Sequence, residues 1–246
     1  MPIHSADAIN SVLETVRSED VKMIDFKFMD FPGQWQHFTV PATEFDAKSF
    51  EEGFGFDGSS MRGWKAINES DMLLLPDPDS MFLDPFIKSP TISMICDIHE
   101  PATLEKYGRC PRNIAQKAIA YLKSTGIADT AYFGPEAEFF VFDDVRFDST
   151  PNSSFYFVDS QEGRWNTGSD EMPNLQYKPR YKEGYFPVPP TDSLNDLRNE
   201  MCERLMDIGI PVEAQHHEVA SGGQCEIDLR FQPLVTASDQ MLLFKY

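Results

Sequence analysis

The amino-terminal part of the chain changes from a helical to a strand-like spacing of apolar residues. Behind Ser5, a predicted helix cap, apolar side chains recur three or four positions apart and predict a short amphipathic helix. These side chains are Ile9, Val12, Leu13 and Val16. Strict alternation follows on both sides of Pro32-Gly33 and predicts a β-hairpin. Its alternating positions are Ile24, Phe26 and Phe28, then Gln36, Phe38 and Val40.

The next segment, residues 73–97, contains four prolines and predicts mostly extended chain, with a strand at 91–98. We expect a small mixed domain to end near Glu100. Beyond it, Pro111 suits the first turn of a helix and Gly126 its end. Residues 132–142 then predict one strand, and the polar stretch 143–190 predicts a long loop.

The last third of the chain has a second helical pattern followed by two strands. Asp192 or Ser193 is predicted to cap the helix, and Gly209 to end it. Strands are predicted at 212–220 and 224–231, joined through Ser221-Gly222-Gly223. A further helical pattern contains Leu242, Leu243 and Phe244 near the end of the chain.

Composition narrows the possible partners. The chain has 246 residues, of which 41% are hydrophobic, and a formal net charge of −19. Such an acidic protein repels nucleic acids and anionic membranes and favours cations. No segment approaches the length of about 20 apolar residues that crosses a bilayer. The four cysteines form no CxxC pair, so we expect reduced thiols and a cytoplasmic protein.

Pairs of acidic residues lie two positions apart in the predicted strands. Side chains at such spacing project from the same face of a strand, so Glu136 and Glu138 project together. The same spacing occurs in the two strands of the later hairpin. The residues concerned are His216 with Glu218, and Glu226 with Asp228.

If the four glutamates face one cavity, their repulsion requires a positive charge, and carboxylate oxygens are suitable ligands for Mg²⁺ or Mn²⁺. The alternative is that the pairs project from the outer faces of separate strands. The spacing alone leaves both arrangements open.

A glycine-rich segment, residues 53–58, matches the dinucleotide fingerprint GxGxxG formally. It follows polar residues instead of a buried strand, which argues against a Rossmann fold. We interpret it as a tight turn that presents Asp57, with a purely structural turn as the alternative. The sequence has no GxxxxGK[ST], GxSxG or HExxH motif.

Taken in order, five motifs resemble the amino-terminal half of bacterial-type (type I) glutamine synthetase. They are Gly55-Phe56-Asp57-Gly58-Ser59-Ser60, Asn68-Glu69-Ser70-Asp71-Met72, Gly134-Pro135-Glu136-Ala137-Glu138-Phe139, Gly184-Tyr185-Phe186-Pro187 and His216-His217-Glu218-Val219-Ala220. The resemblance runs from the first helix to the last residue. It implies an α+β fold, with a β-grasp domain and leading helix at 1–100. Residues 101–246 would form the first part of an antiparallel-sheet catalytic domain, with flanking helices, that binds metal and ATP.

The resemblance also implies metal ligands. Glu138, Glu218 and Glu226 would bind one Mg²⁺ or Mn²⁺ ion and Glu136 a second, giving two or more ions per site. His216 does not match the family's histidine ligand and is interpreted as structural.

Further residues carry implied roles in substrate binding and catalysis. Glu213, Phe231 and Trp64 match positions at the nucleotide, and Tyr185 a position near the substrate. Asp57 matches the catalytic aspartate that binds ammonium and helps to deprotonate it. Asp57 and Trp64 would act across a subunit boundary.

The implied function is ATP-dependent ligation of ammonia to glutamate through a γ-glutamyl phosphate, in a homo-oligomer, a dodecamer, with active sites between subunits. The family's later motifs do not occur here, so we expect a fragment of a longer chain that is inactive alone. Two alternatives stay open. One is a related γ-glutamyl-amine ligase, and the other is a non-catalytic metal-binding or interaction fragment that docks on full-length subunits.

Overall fold

A computed structural model of the chain describes residues 4–167 and 177–246. In chain order its helices and strands are α1 (Ala6–Ser18), β1 (Met23–Met29), β2 (Trp35–Pro41), α2 (Ser49–Glu52), β3 (Phe54–Asp57), β4 (Asp71–Pro76), β5 (Phe82–Leu83), β6 (Thr91–His99), α3 (Pro111–Thr125), β7 (Tyr132–Phe133), β8 (Glu136–Phe140), β9 (Asp144–Thr150), β10 (Ser153–Asp159), α4 (Asn195–Asp207), β11 (Val212–His217), β12 (Gln224–Leu229), β13 (Gln232–Pro233) and α5 (Leu234–Lys245). None of these helices is both long and apolar enough to span a bilayer.

Packing divides the described residues into two units. The first contains the described residues of 1–133 and 232–246, and the second contains those of 134–231. The domain boundary near Glu100 stays a prediction.

A six-stranded sheet forms the framework of the first unit. Its strand order is β2-β1-β6-β4-β3, with β5 paired to β6. β1 and β6 run parallel, and the other pairs are antiparallel. This is the predicted β-grasp arrangement. Phe26, Leu74 and Ile98 are fully buried in its core because alternate strand residues face the same side of the sheet.

The sequence patterns of this unit are confirmed in detail. The Ser5 hydroxyl accepts a hydrogen bond of 3.1 Å from the Ala8 backbone N–H at the start of α1. β1 and β2 form the predicted hairpin, in which Phe26 lies opposite Phe38. Pro111 begins α3, and Gly126 ends it in the left-handed conformation.

The second unit is built on a three-stranded antiparallel sheet in the order β11-β12-β8, and α4 packs against β11 and β12. The hairpin predicted through Ser221-Gly222-Gly223 is confirmed, since β11 and β12 pair directly.

Two predictions for this region are wrong. The single strand at 132–142 is interrupted at Gly134-Pro135, because proline provides no backbone N–H for a strand ladder. The predicted loop at 143–190 contains the hairpin of β9 and β10, although residues 168–176 of that loop lie outside the described part of the chain.

The predicted cap of α4 is also wrong. Leu194 is the capping residue and makes no side-chain bond to the helix. Asp192 instead binds Arg198 at 2.5 Å, and Ser193 donates to Glu162 at 2.8 Å. The Ser193 hydroxyl and one Asp192 oxygen are thus engaged by charged partners, and the other Asp192 oxygen accepts from the Leu194 N–H at 3.3 Å, one residue ahead of α4.

Candidate metal centre

The three-stranded sheet of the second unit gathers acidic side chains on one face. Glu138 lies opposite Glu226 in the β8–β12 pair, and Glu136 lies opposite Asp228. His216 lies opposite Glu226 in the β11–β12 pair. Because residues directly opposite one another in a ladder project from the same face, all five share it. The alternative in which the acidic pairs project from outer faces of separate strands is thereby excluded.

Two groups on this face are close enough to share a cation. Carboxylate oxygens of Glu138, Glu218 and Glu226 lie within 4.8 Å of one another. Ligand atoms of His216, Glu226 and Asp228 meet the same limit. Glu226 belongs to both groups and is therefore the centre of the cluster.

Glu226 is buried without adequate compensation for its charge. Its residue is only 6% exposed. The Nε2 atom of His216 lies 3.6 Å from the Glu226 carboxylate. Burial, together with the charges of Asp228 and Glu218, raises the pKa of Glu226 to about 7.

This environment fits a divalent cation. Mg²⁺ and Mn²⁺ prefer carboxylate oxygen ligands, and such an ion would offset the repulsion that raises the pKa of Glu226. Glu138 already has one polar partner, because Gln224 Nε2 donates to its Oε2 at 2.6 Å. The carboxylate still has free acceptor positions for a metal.

Of the four predicted metal ligands, the structure brings three together. Glu136 projects from the same face but is exposed and belongs to neither group. It lies two residues from Glu138, about 6.6 Å along an extended strand. Its role at a second ion stays a prediction.

His216 and Asp228 also border the acidic face. The Nδ1 atom of His216 lies 3.8 Å from Glu218 and its Nε2 atom lies 3.9 Å from Asp228, while its structural interpretation stays a prediction. Its ring also contacts Tyr185 and Phe186, with centroid distances of 5.3 and 4.7 Å. The signal was present in the alternation that aligns His216 with Glu218 and Glu226 with Asp228.

Tyr185 lies at the edge of the cluster through this contact. Its ring stacks on Phe186 at 3.8 Å and remains half-exposed. The preceding residue must be small, because a Cβ on Gly184 would come within 2.6 Å of the Glu218 carbonyl oxygen. The close approach of this loop to Glu218 is thus built into the sequence.

The two predicted nucleotide residues of this unit lie outside the cluster. Glu213 pairs with Arg230, with 3.0 Å between Oε1 and Nε, at an exposed position on β11. Phe231 is exposed, and its Cβ lies 3.5 Å from the position that a Cβ on Gly134 would take. The roles of Glu213 and Phe231 at the nucleotide stay predictions.

Asp57 and Trp64 belong to the first unit. Asp57 ends β3 as the predicted exposed turn residue and accepts hydrogen bonds from the Ser59 N–H at 2.8 Å and hydroxyl at 2.6 Å. These bonds lower the pKa of Asp57, so it is anionic at neutral pH.

Trp64 is a core residue of the first unit. Only 5% of it is exposed, and its ring packs against Phe28, Phe56 and Tyr107. Little of the indole is therefore available to a nucleotide in this conformation. Its assignment to the nucleotide depends on the resemblance alone.

The β-grasp unit and the acidic sheet face define an α+β protein with a candidate centre for divalent cations. The family described as "Glutamine synthetase, beta-Grasp domain" matches residues 20–101, and "Glutamine synthetase, catalytic domain" matches residues 108–246. The chain belongs to the glutamine synthetase family.

Individual relatives agree with this assignment. Glutamine synthetase of Microchaete diplosiphon is 59% identical over 235 residues, and that of Aquifex aeolicus is 55% identical over 235 residues. Each match covers 96% of this chain and 50% of the relative, so the chain spans about half the length of these relatives.

Solved structures show the same fold. A cryo-electron microscopy structure of Plasmodium falciparum glutamine synthetase matches 98% of this chain and 47% of its own, with a TM-score of 0.86 and 27% identity. A GmaS/ADP complex matches 96% of this chain and 47% of its own, with a TM-score of 0.69. Its identity of 21% supports similarity of fold only.

Proposed function

We propose that this chain supplies the metal-binding half of an active site that ligates ammonia to glutamate at the expense of ATP. The observation that carries the proposal is the cluster of Glu138, Glu218 and Glu226, in which Glu226 is buried among negative neighbours. Because the chain belongs to the glutamine synthetase family, we assign this cluster to glutamine synthesis.

Glu138, Glu218 and Glu226 would hold one Mg²⁺ or Mn²⁺ ion, and Glu136 would contribute to a second. Bound divalent cations neutralise phosphate oxygens and favour phosphoryl transfer. Transfer of the terminal phosphoryl group of ATP to the glutamate side chain would give a γ-glutamyl phosphate. Ammonia would then displace phosphate to form glutamine.

Asp57 would act on the second step. Its carboxylate is exposed and kept anionic by Ser59, so it can attract NH₄⁺ and accept a proton. Tyr185 would border the glutamate site, while Glu213, Phe231 and Trp64 would border the nucleotide.

The proposal includes a cytoplasmic homo-oligomer, a dodecamer, with active sites between subunits. Four buried cysteines, all free, are compatible with a reducing compartment. Asp57 is exposed on the first unit, and the resemblance assigns it to the active site of a neighbouring subunit.

A chimera tests the function directly. This chain would be joined to the carboxyl-terminal half of the Microchaete diplosiphon relative and assayed for glutamine formation and ADP release. Both products should depend on glutamate, ammonium and a divalent cation. Glu226→Gln should reduce the rate by at least about 100-fold, because it removes a charged ligand shared by the cluster.

Two outcomes would contradict the proposal. One is a folded, assembled chimera that releases no ADP. The other is a Glu226→Gln chimera with unchanged turnover. Methylamine in place of ammonium distinguishes an amine ligase, and the chain alone or mixed with full-length subunits distinguishes a non-catalytic partner.

A further inference from the structure

The reverse face of the three-stranded sheet carries a buried contact between a histidine and a carboxylate. His217 lies opposite Cys225, so both project away from the face that carries His216 and Glu226. The Nε2 atom of His217 is 2.9 Å from Oε2 of Glu162, which follows β10 in the chain. Glu162 is 1% exposed, and the His217 side chain is fully buried.

Glu162 joins three segments of the second unit. Its Oε1 accepts hydrogen bonds from the Ser193 N–H and hydroxyl, each at 2.8 Å, ahead of α4. Its Oε2 accepts from the Gly223 N–H at 2.8 Å, in the turn between β11 and β12. Burial alone would raise the pKa of Glu162, but these bonds and His217 lower it to about 2. The carboxylate is therefore ionised and fully bonded.

The turn between β11 and β12 packs directly on this residue. A Cβ on Gly222 would lie 2.4 Å from the Glu162 backbone carbonyl, a separation that atoms cannot adopt. Glycine at this position allows the turn to close over Glu162. The same turn leads into Glu226 on β12.

His217 extends the connection to the metal cluster. Its Nδ1 lies 2.7 Å from the Gly184 carbonyl oxygen and 2.8 Å from that of Glu218. The imidazole therefore spans Glu162 on one side and the backbone of Glu218 on the other. Glu218 supplies one of the three clustered carboxylates.

We propose that Glu162 is a positioning residue of the metal centre. It acts through His217 on the backbone of Glu218, and through Gly223 on the turn that precedes Glu226. It does not reach the acidic face itself. This inference rests on the proposed function, in that the acidic face binds a divalent cation.

Glutamine at position 162 retains the shape of the side chain but cannot reproduce its bonds. The amide NH₂ would take the place of one carboxylate oxygen and would therefore face groups that donate hydrogen bonds. In one orientation these donors are on Ser193, and in the other they are on Gly223 and His217. We expect the affinity for Mn²⁺ to fall by about 10- to 100-fold, as for other groups that orient metal ligands. The bound Mn²⁺ should also give a broadened paramagnetic resonance spectrum.

The test uses the full chain, with Mn²⁺ as the probe, and measures binding by calorimetry and electron paramagnetic resonance well below the unfolding temperature. Glu226→Gln serves as the ligand variant. Asp97→Asn is the matched control, because it removes a buried carboxylate from the Arg112 cluster in the other unit. Glu162→Gln should weaken binding and change the spectrum, whereas Asp97→Asn should change neither.

A folded Glu162→Gln variant with wild-type affinity and spectrum would overturn the positioning role. Should that variant not fold, Ser193→Ala removes one bond to Glu162, and an unchanged affinity there would overturn it equally. A failure of the proposed function would give a different result. The wild type would then show no saturable binding of Mn²⁺, or the Glu226→Gln variant would bind Mn²⁺ as tightly as the wild type.

Discussion

Glu138 and Glu226 lie directly opposite each other in the β8–β12 ladder, with carboxylate oxygens that approach within 4.8 Å. Like charges placed directly opposite one another in a sheet destabilise it. The amide of Gln224 satisfies one oxygen of Glu138, but no comparable donor among the described residues serves Glu226. Repulsion between these two carboxylates therefore destabilises the fold, and a bound cation would remove that repulsion.

A first prediction concerns the sign of the stability change in Glu226→Gln. Without metal, the variant should be more stable than the wild type by about 1 to 2 kcal/mol, because a buried, repelled carboxylate is replaced by a neutral amide. Added Mn²⁺ should raise the unfolding temperature of the wild type only; at 100 times Kd the gain is about 2.7 kcal/mol. Thermal unfolding with EDTA or Mn²⁺ measures both effects. Equal responses of the two proteins would contradict the prediction.

A second prediction tests the packing of the loop that carries Tyr185. Gly184→Ala places a Cβ 2.6 Å from the Glu218 carbonyl oxygen, so we expect a loss of about 1 to 3 kcal/mol and weaker Mn²⁺ binding. Gly134→Ala is the control, since its Cβ would meet Phe231 at an ordinary 3.5 Å. Urea unfolding of both variants measures the difference between their free energies of unfolding. Similar stabilities would show that the loop moves away freely.

A third prediction concerns acid stability of the first unit. Arg112 binds Asp97 and Asp77 at 2.6 Å and Asp239 at 2.9 Å. Burial would raise the pKa of Asp97, but Arg112, Gln116 and Lys106 together outweigh it and lower that pKa below the usual 3.8. This contribution to stability is present above pH 3.8 and is lost as pH falls through the lower folded-state value.

The variant Asp97→Asn should therefore be less stable than the wild type at neutral pH. Breaking a buried ion pair completely costs roughly 3 to 5 kcal/mol, and the loss here should be smaller because two carboxylates still bind Arg112. The difference should shrink below pH 3.8. Urea unfolding at a series of pH values measures it, and a difference that is constant with pH would disprove the electrostatic explanation.

A fourth prediction separates the two chemical steps in the chimera. Asp57→Asn removes the charge that would attract NH₄⁺ and should lower ammonia-dependent turnover by about 100-fold or more. Hydroxylamine is largely neutral at pH 7, so the rate with that nucleophile should fall much less. Ser60→Ala is the control, because it removes only a weak 3.3 Å hydrogen bond to Asp57. Equal losses with both nucleophiles would show that Asp57 does not act on ammonium.

The local patterns predicted part of the acidic face. Alternation along a strand predicted that Glu136 projects with Glu138 and Glu226 with Asp228, but the pairing of β8 with β12, which places Glu138 opposite Glu226, follows only from the fold. The same regularity predicted α1 and the hairpin of β1 and β2. It could not show that the strand at 132–142 breaks at Gly134, or that β9 and β10 form a hairpin whose aromatic residues are exposed.

The contacts of Glu162 on the reverse side of the acidic face were not predictable from the spacing of residues in the sequence. Glu162 bonds to groups that are 31, 55 and 61 residues away in the sequence, at Ser193, His217 and Gly223. Contacts over such separations depend on the assembled fold. Trp64 differs in that the resemblance assigns it to the nucleotide, whereas its ring packs in a core of aromatic rings.

The central claim is that Glu138, Glu218 and Glu226 bind one divalent cation. Crystals of the chain grown with Mn²⁺ would test it most directly, by anomalous scattering at the manganese edge. We predict a peak within about 2.0 to 2.6 Å of one oxygen from each carboxylate. A fully Mn²⁺-saturated crystal with no peak at these three residues would contradict the account.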